Sequence, residues 1–154
     1  MLTSLFILGL FVALIAAGFL VVGAGLISKE KQGKVLIKDQ EFNAEIVDTP
    51  TKRSRGLSGR ENLGKNEGML FLFESAGYQS FWMRGMKIPI DIIWIKENKD
   101  VGFEKNVQTE PGVRTASLKR YTSPAAVEKV LEVPAGTVER LGIQVGEEMA
   151  VSYN

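Results

Sequence analysis

Beyond residue 33 the chain alternates apolar and polar positions in short runs, whereas residues 1–28 form one apolar block with no alternation. "KVLIK" (34–38), "EFNAEIV" (41–47), "GMLFLF" (68–73), "SFWMR" (80–84), "IDIIWI" (90–95), "VGFEK" (101–105), "AVEKVLEV" (126–133) and "EEMAVSY" (147–153) have the length and the β-branched or aromatic content of strands. "ENKD" (97–100) predicts a tight turn between two of them. Thr49-Pro50 reads as a helix cap followed by proline in the first turn, and that helix should stop near Arg55-Gly56. "PAGTVERLG" (134–142) reads as a second short helix, entered near Gly136 and ended at Gly142. In "VEKVLEV", Val127, Lys129, Leu131 and Val133 alternate with Glu128, Val130 and Glu132, so neither face is wholly apolar and a half-exposed strand is predicted. Many short strands with two short helices predict a mainly β domain, a compact barrel or sandwich.

The amino-terminal block carries no charged side chain, and it is long enough to cross a hydrocarbon core of about 30 Å as a helix rising about 1.5 Å per residue. The expected organisation is a transmembrane anchor over 1–28, a polar tether over 29–33 and the β domain over 34–154. A cleaved signal would begin with basic residues and carry a shorter apolar stretch, so an uncleaved anchor fits better, with Gly23-Ala24-Gly25 only a weak cleavage site. Gly9, Ala13 and Ala17 recur at every fourth position, as in ordinary membrane helices and in closely packed ones alike. Lys29, Lys31 and Lys34 follow the block and no Lys or Arg precedes it, which by the positive-inside rule favours a cytoplasmic domain.

Composition removes several kinds of chemistry. With no Cys and no His, a thiol nucleophile, a disulfide framework, a histidine zinc site and a Ser-His-Asp triad are excluded, and no metal or cofactor is expected. Acid–base work would fall to carboxylates, Lys or Tyr. The 19 basic and 18 acidic residues nearly cancel and form no basic stripe, which argues against nucleic acid as a partner.

One stretch stands out, "FWMRGMKIPIDIIWI" (81–95). On a period of two, Ile88, Ile90, Ile92 and Trp94 share one face, and Pro89, Asp91, Ile93 and Ile95 the other, so Asp91 sits on a mostly apolar strand. Such a carboxylate must be paired, hydrogen-bonded or neutral. Arg55, Arg60 and Arg84 are the partners considered, since a guanidinium satisfies a carboxylate with two parallel bonds. A structural Asp–Arg anchor is favoured over a catalytic acid or base. If Phe81 and Met83 are core, Trp82 and Arg84 point away from it and can face a ligand. Glu67, Glu110 and Asp48 read as turn or cap residues, and Gly56 as a helix end needing a left-handed backbone.

Taken together, "DTPTKRSRGLSGRENL", "NEGMLFLF", "SFWM", "IPIDIIWI" and "YTSPAAVEKVLEVPAGTVERLGIQVGE" resemble the domain-of-unknown-function family 192 over roughly 41–150. The resemblance implies a barrel-like β fold, frequent export from the cytoplasm and no established activity. Arg55-Gly56-Leu57, Gly68 to Phe71, Phe81 to Met83 and Pro89-Ile90-Asp91 match the family's motifs, but Arg84-Gly85-Met86 stands where a basic residue, Asn and Thr are usual, removing an amide and a hydroxyl. Export outweighs the lysine cluster, so the domain is expected outside the cytoplasm. The leading expectation is a membrane-tethered binding or accessory module for a small polar ligand or envelope component, with Trp82, Arg84, Asp91, Arg55 and Glu67 as candidate ligand-binding residues. The alternatives are an enzyme using Asp91 and Glu67 as acid and base on a glycan, and a purely structural interaction domain.

Overall fold

In the computed structural model, which describes residues 30–153, the alternating runs become strands β1 (Gln32–Ile37), β2 (Gln40–Val47), β3 (Glu67–Gly77), β4 (Ser80–Phe81), β5 (Ile90–Lys96), β6 (Lys99–Val107), β7 (Tyr121–Thr122), β8 (Val127–Pro134) and β9 (Met149–Tyr153). The apolar block expected to span a membrane lies outside the described residues. Among the described residues no helix is long and apolar enough to cross a membrane. Two short helices, α1 (Pro50–Arg55) and α2 (Thr137–Leu141), sit where the sequence signals put them. Thr49 caps α1, its Oγ1 accepting from the Lys52 N–H at 3.3 Å, with Pro50 in the first turn. Gly56 ends α1 with φ +50° and ψ −140°, a backbone that a side chain resists.

Seven strands form one sheet in the order β6-β5-β8-β3-β2-β1-β9, and β4 pairs with β7 separately. Every pairing in the large sheet is antiparallel except β2 with β3, whose parallel connection carries α1. The sheet curls into a half-barrel, and its two edges touch at one end. There Lys99 bridges Glu148, the Asp100 N–H donates to the Glu147 carbonyl at 3.0 Å, and the Gly146 N–H donates to the Asp100 carbonyl at 2.8 Å. The expected barrel or sandwich is thus a curled sheet, and the strand expected over 80–84 shrinks to two residues. The first strand starts at Gln32, inside the segment expected to be a tether.

Over the central strands both faces of the sheet are buried, each by one phase of the alternation, whereas β1 leaves one phase, Gln32, Lys34 and Leu36, exposed. The concave face gathers Ile37, Phe42, Ile46, Leu70, Ile93 and Leu131, from strands at both ends of the order. The convex face carries Met69, Phe71, Ile92, Trp94 and Val130, roofed by Leu57 and Met83 from the irregular segments and by Tyr121 of β7. This double burial corrects the half-exposed reading of "VEKVLEV": β8 lies between β5 and β3, and Val130 to Val133 are all buried. Central strands covered on both sides read as nearly continuous apolar runs, and Glu132 interrupts one.

Candidate functional site

Asp91 is fully buried on the concave face, and its partners are backbone amides. Its Oδ1 accepts from the N–H of Asn106 at 2.7 Å and of Gly136 at 3.1 Å, and its Oδ2 accepts from the N–H of Val138 at 2.8 Å. Two of these donors belong to the first turn of α2, whose N-cap, Gly136, has no side chain to supply the bond. Asp91 is therefore a structural anchor, with a correction: no arginine completes it. Arg60 pairs with Glu45, Arg84 donates to Ser54, and Arg55 is exposed on the other side of the sheet. Glu67 accepts from the Gly64 N–H at 2.9 Å and holds the turn before β3.

The other buried acid of the central strands behaves differently. Glu132 pairs in register with Met69 of β3 and Ile92 of β5, which turns its side chain to the convex face, opposite Asp91. It is 6% exposed, and its Oε2 has no hydrogen-bond partner among the described residues. Burial, with nothing opposing it, pushes the Glu132 carboxyl up to about 8, so near neutrality it is mostly a protonated acid.

Above Glu132 lies a cavity of about 190 Å³ between α1, β3 and the 79–86 segment. An apolar cavity of roughly 150 Å³ accepts one benzene ring, so a ring-sized ligand fits. Phe71, Phe73, Phe81 and Trp82 supply aromatic walls, and Met86 closes one side. Phe71 and Phe81 meet edge to face at 4.8 Å, and Phe81 meets Trp94 beneath them at 5.5 Å, which fixes the ring positions.

The mouth is basic. Arg53, Arg55 and Arg84 line it, and Glu132 is the one carboxylate among the lining residues. Arg53 is spoken for: its Nη1 donates to the carbonyls of Asp48 at 2.7 Å and Leu72 at 2.8 Å, with the guanidinium 5.0 Å over the Phe73 ring. Arg84 donates to the Ser54 carbonyl at 3.0 Å and lies 5.8 Å from the Trp82 ring, whose centre also has Arg120 at 3.9 Å. Arg55, the last residue of α1, is exposed at the rim and its guanidinium has no partner among the described residues.

Three of the five residues singled out from the sequence, Arg55, Trp82 and Arg84, thus meet at one cavity, while Asp91 and Glu67 lie elsewhere. Sequence reasoning missed Glu132, Arg53 and Phe73. The signal for Glu132 was present, since it stands between Leu131 and Val133 and in phase with Val130. Applied to β8, the test that singled out Asp91 would have found it. No group of three or more acidic side chains able to hold a metal occurs among the described residues.

The model of domain-of-unknown-function family 192, described as an uncharacterized ACR, matches residues 33–151. A solved structure of a protein of unknown function from Novosphingobium aromaticivorans DSM 12444 is similar at 27% identity and TM-score 0.68, covering 77% of this chain and 83% of that one. A proposed transcription regulator from Sinorhizobium meliloti 1021 shares the fold at 24% identity and TM-score 0.69, covering 79% of this chain and 93% of that one. No curated protein matches.

Proposed function

The chain belongs to domain-of-unknown-function family 192, and on that premise we propose that it is a binding module, tethered to a membrane by residues 1–28, whose domain takes a small polar ligand outside the cytoplasm. The observation that carries the binding reading is the unpartnered Glu132 carboxyl at the floor of an aromatic cavity with arginines at its mouth. A buried polar group left unsatisfied costs about 1–3 kcal/mol, and such costs are kept where a ligand supplies the missing partner. The tether rests on the uncharged apolar block, and the outward orientation rests on the family resemblance.

The carboxylate-pair enzyme has less support. Glycan hydrolysis by two carboxyl groups needs them roughly 5–9 Å apart across one cleft, whereas Glu132 stands alone in the cavity lining, Asp91 faces the opposite side of the sheet and Glu67 holds a turn. A thermal-shift screen of the full-length chain against sugars, amino acids, nucleotides, peptidoglycan fragments and small organic acids tests the binding reading. A ligand at 100 times its Kd adds about 2.7 kcal/mol to the native state. A shift that disappears in Arg55→Ala and Glu132→Gln is expected; no shift with any compound, or one indifferent to both substitutions, contradicts it. A reporter fused after Asn154 is expected to read outside the cytoplasm, and cytoplasmic activity would show that Lys29, Lys31 and Lys34 set the orientation.

A further inference from the structure

We infer that the ligand of this cavity is a small zwitterion, its ammonium group paired with Glu132 at the floor and its carboxylate or phosphate against Arg55 at the mouth. The inference rests on the binding reading and names the chemistry of the occupant.

Glu132 is not satisfied from within the fold, its Oε2 having no hydrogen-bond partner among the described residues. It sits mid-sheet, where the neighbouring backbone donors of β3 and β5 are committed to strand pairing. Of the three arginines lining the cavity, Arg53 and Arg84 are held by Asp48, Leu72 and Ser54, and Arg55 stands exposed at the rim. Asp91 collects three backbone N–H donors from a turn and a helix start, and Asp100, though its Oδ2 is also unpartnered, keeps the Gly102 N–H on Oδ1, whereas Glu132 makes no side-chain hydrogen bond among the described residues. The missing partner therefore comes from outside.

Two features select an ammonium over other partners. The rings of Phe71 and Phe81 line the same cavity as Glu132, and the face of an aromatic ring attracts a cation. Without the three converging backbone N–H groups that Asp91 has, a buried carboxylate is held ionised best by a full opposite charge. A single neutral donor offsets less of that charge. The mouth then demands the second half of the ligand. Three arginines repel a bare cation, and Arg55, with no partner of its own, is placed to take an anion. A cation enters past them when it carries its own negative group.

Binding has a defined proton balance. The empty cavity holds Glu132 as the neutral acid; when the ammonium arrives, the carboxyl proton leaves to solvent, the ligand keeps its own protons and one proton is released per ligand. Burial raises the Glu132 carboxyl to about 8, so below that value affinity rises by up to about tenfold per pH unit.

Calorimetry on the full-length chain in a non-ionic detergent tests this with ω-amino acids from 4-aminobutyrate to 8-aminooctanoate, glycine betaine and phosphocholine, against hexanoate and hexylamine as single-charge controls. At least one zwitterion is expected to bind ten times or more tightly than either control, with affinity increasing from pH 6 to pH 8 and close to one proton released at pH 6. Glu132→Gln is expected to remove both the preference and the pH dependence. Hexanoate binding as well as the zwitterions, or affinity falling as pH rises, would mean that Glu132 acts as a neutral donor, overturning the inference while leaving the binding reading intact. If no zwitterion binds but the thermal-shift screen finds another ligand, the inference falls alone. If neither experiment finds a ligand, both fall.

Discussion

Asp91 and Glu132 lie on adjacent strands, each set among apolar neighbours, yet the fold treats them oppositely. Asp91 has both oxygens bonded to backbone N–H groups, so replacing it with Asn turns one acceptor into an amide NH₂ that faces a donor. Each hydrogen bond to a charged group contributes about 1.5–3 kcal/mol, and the start of α2 loses its cap as well. Asp91→Asn is expected to lower stability by at least about 2 kcal/mol in denaturant unfolding, and a variant as stable as its parent would contradict the anchor. The need for such an anchor was legible in the alternation of 88–95. Its donors were not, because Asn106, Gly136 and Val138 reach Asp91 only through the pairing of β5 with β6 and β8. An arginine was the natural guess from side chains alone, and backbone amides leave no mark in a sequence.

At the scale of elements, helix ends were the most legible feature. Thr49-Pro50, Gly56, Gly136 and Gly142 stand at the termini of α1 and α2 as their residue types demand. Strand burial was less so, because whether "VEKVLEV" is an edge or a centre depends on its neighbours, β3 arriving from earlier in the chain and β5 from the middle. The close contact of β8 with β3 depends on Gly68. A Cβ there would come 2.8 Å from the Glu132 carbonyl, an atom of backbone that cannot swing aside. Overpacking of this kind costs about 1–3 kcal/mol. Gly68→Ala is expected to lose that much in the same unfolding assay and to weaken ligand binding, since the displaced backbone is that of Glu132 itself. Unchanged stability would show that the two strands have slack the structure does not display.

For the molecule as a whole, two buried acids tie stability to pH. Burial, and secondarily Glu147, pushes Asp100 at the junction of the sheet edges up to about 6, against the Gly102 N–H that it accepts at 2.6 Å, and burial pushes Glu132 up to about 8. Each native group holds its proton to a higher pH than the unfolded chain does, so the unfolded state binds fewer protons in the interval and stability falls as pH rises. Both contributions are complete below the ordinary carboxylate range. Asp100 gives its share up by about pH 6 and Glu132 by about pH 8, each at up to about 1.4 kcal/mol per pH unit. In urea titrations of the full-length chain, Glu132→Met is expected to abolish the decline between pH 6 and 8 and to leave that below pH 6 to Asp100. A decline between pH 6 and 8 that persists in Glu132→Met would assign it to another group.

Ligand binding at the cavity depends on Glu132 being a buried acid without a partner, and an NMR titration of its side-chain carboxyl carbon in the full-length chain reads that state directly. A midpoint near 8 is predicted in the empty protein, moving below the ordinary carboxylate range when a saturating zwitterion supplies the missing charge. A midpoint close to the ordinary glutamate value of 4.5 in the empty protein would show that the carboxyl is already solvated or paired, and would contradict the site.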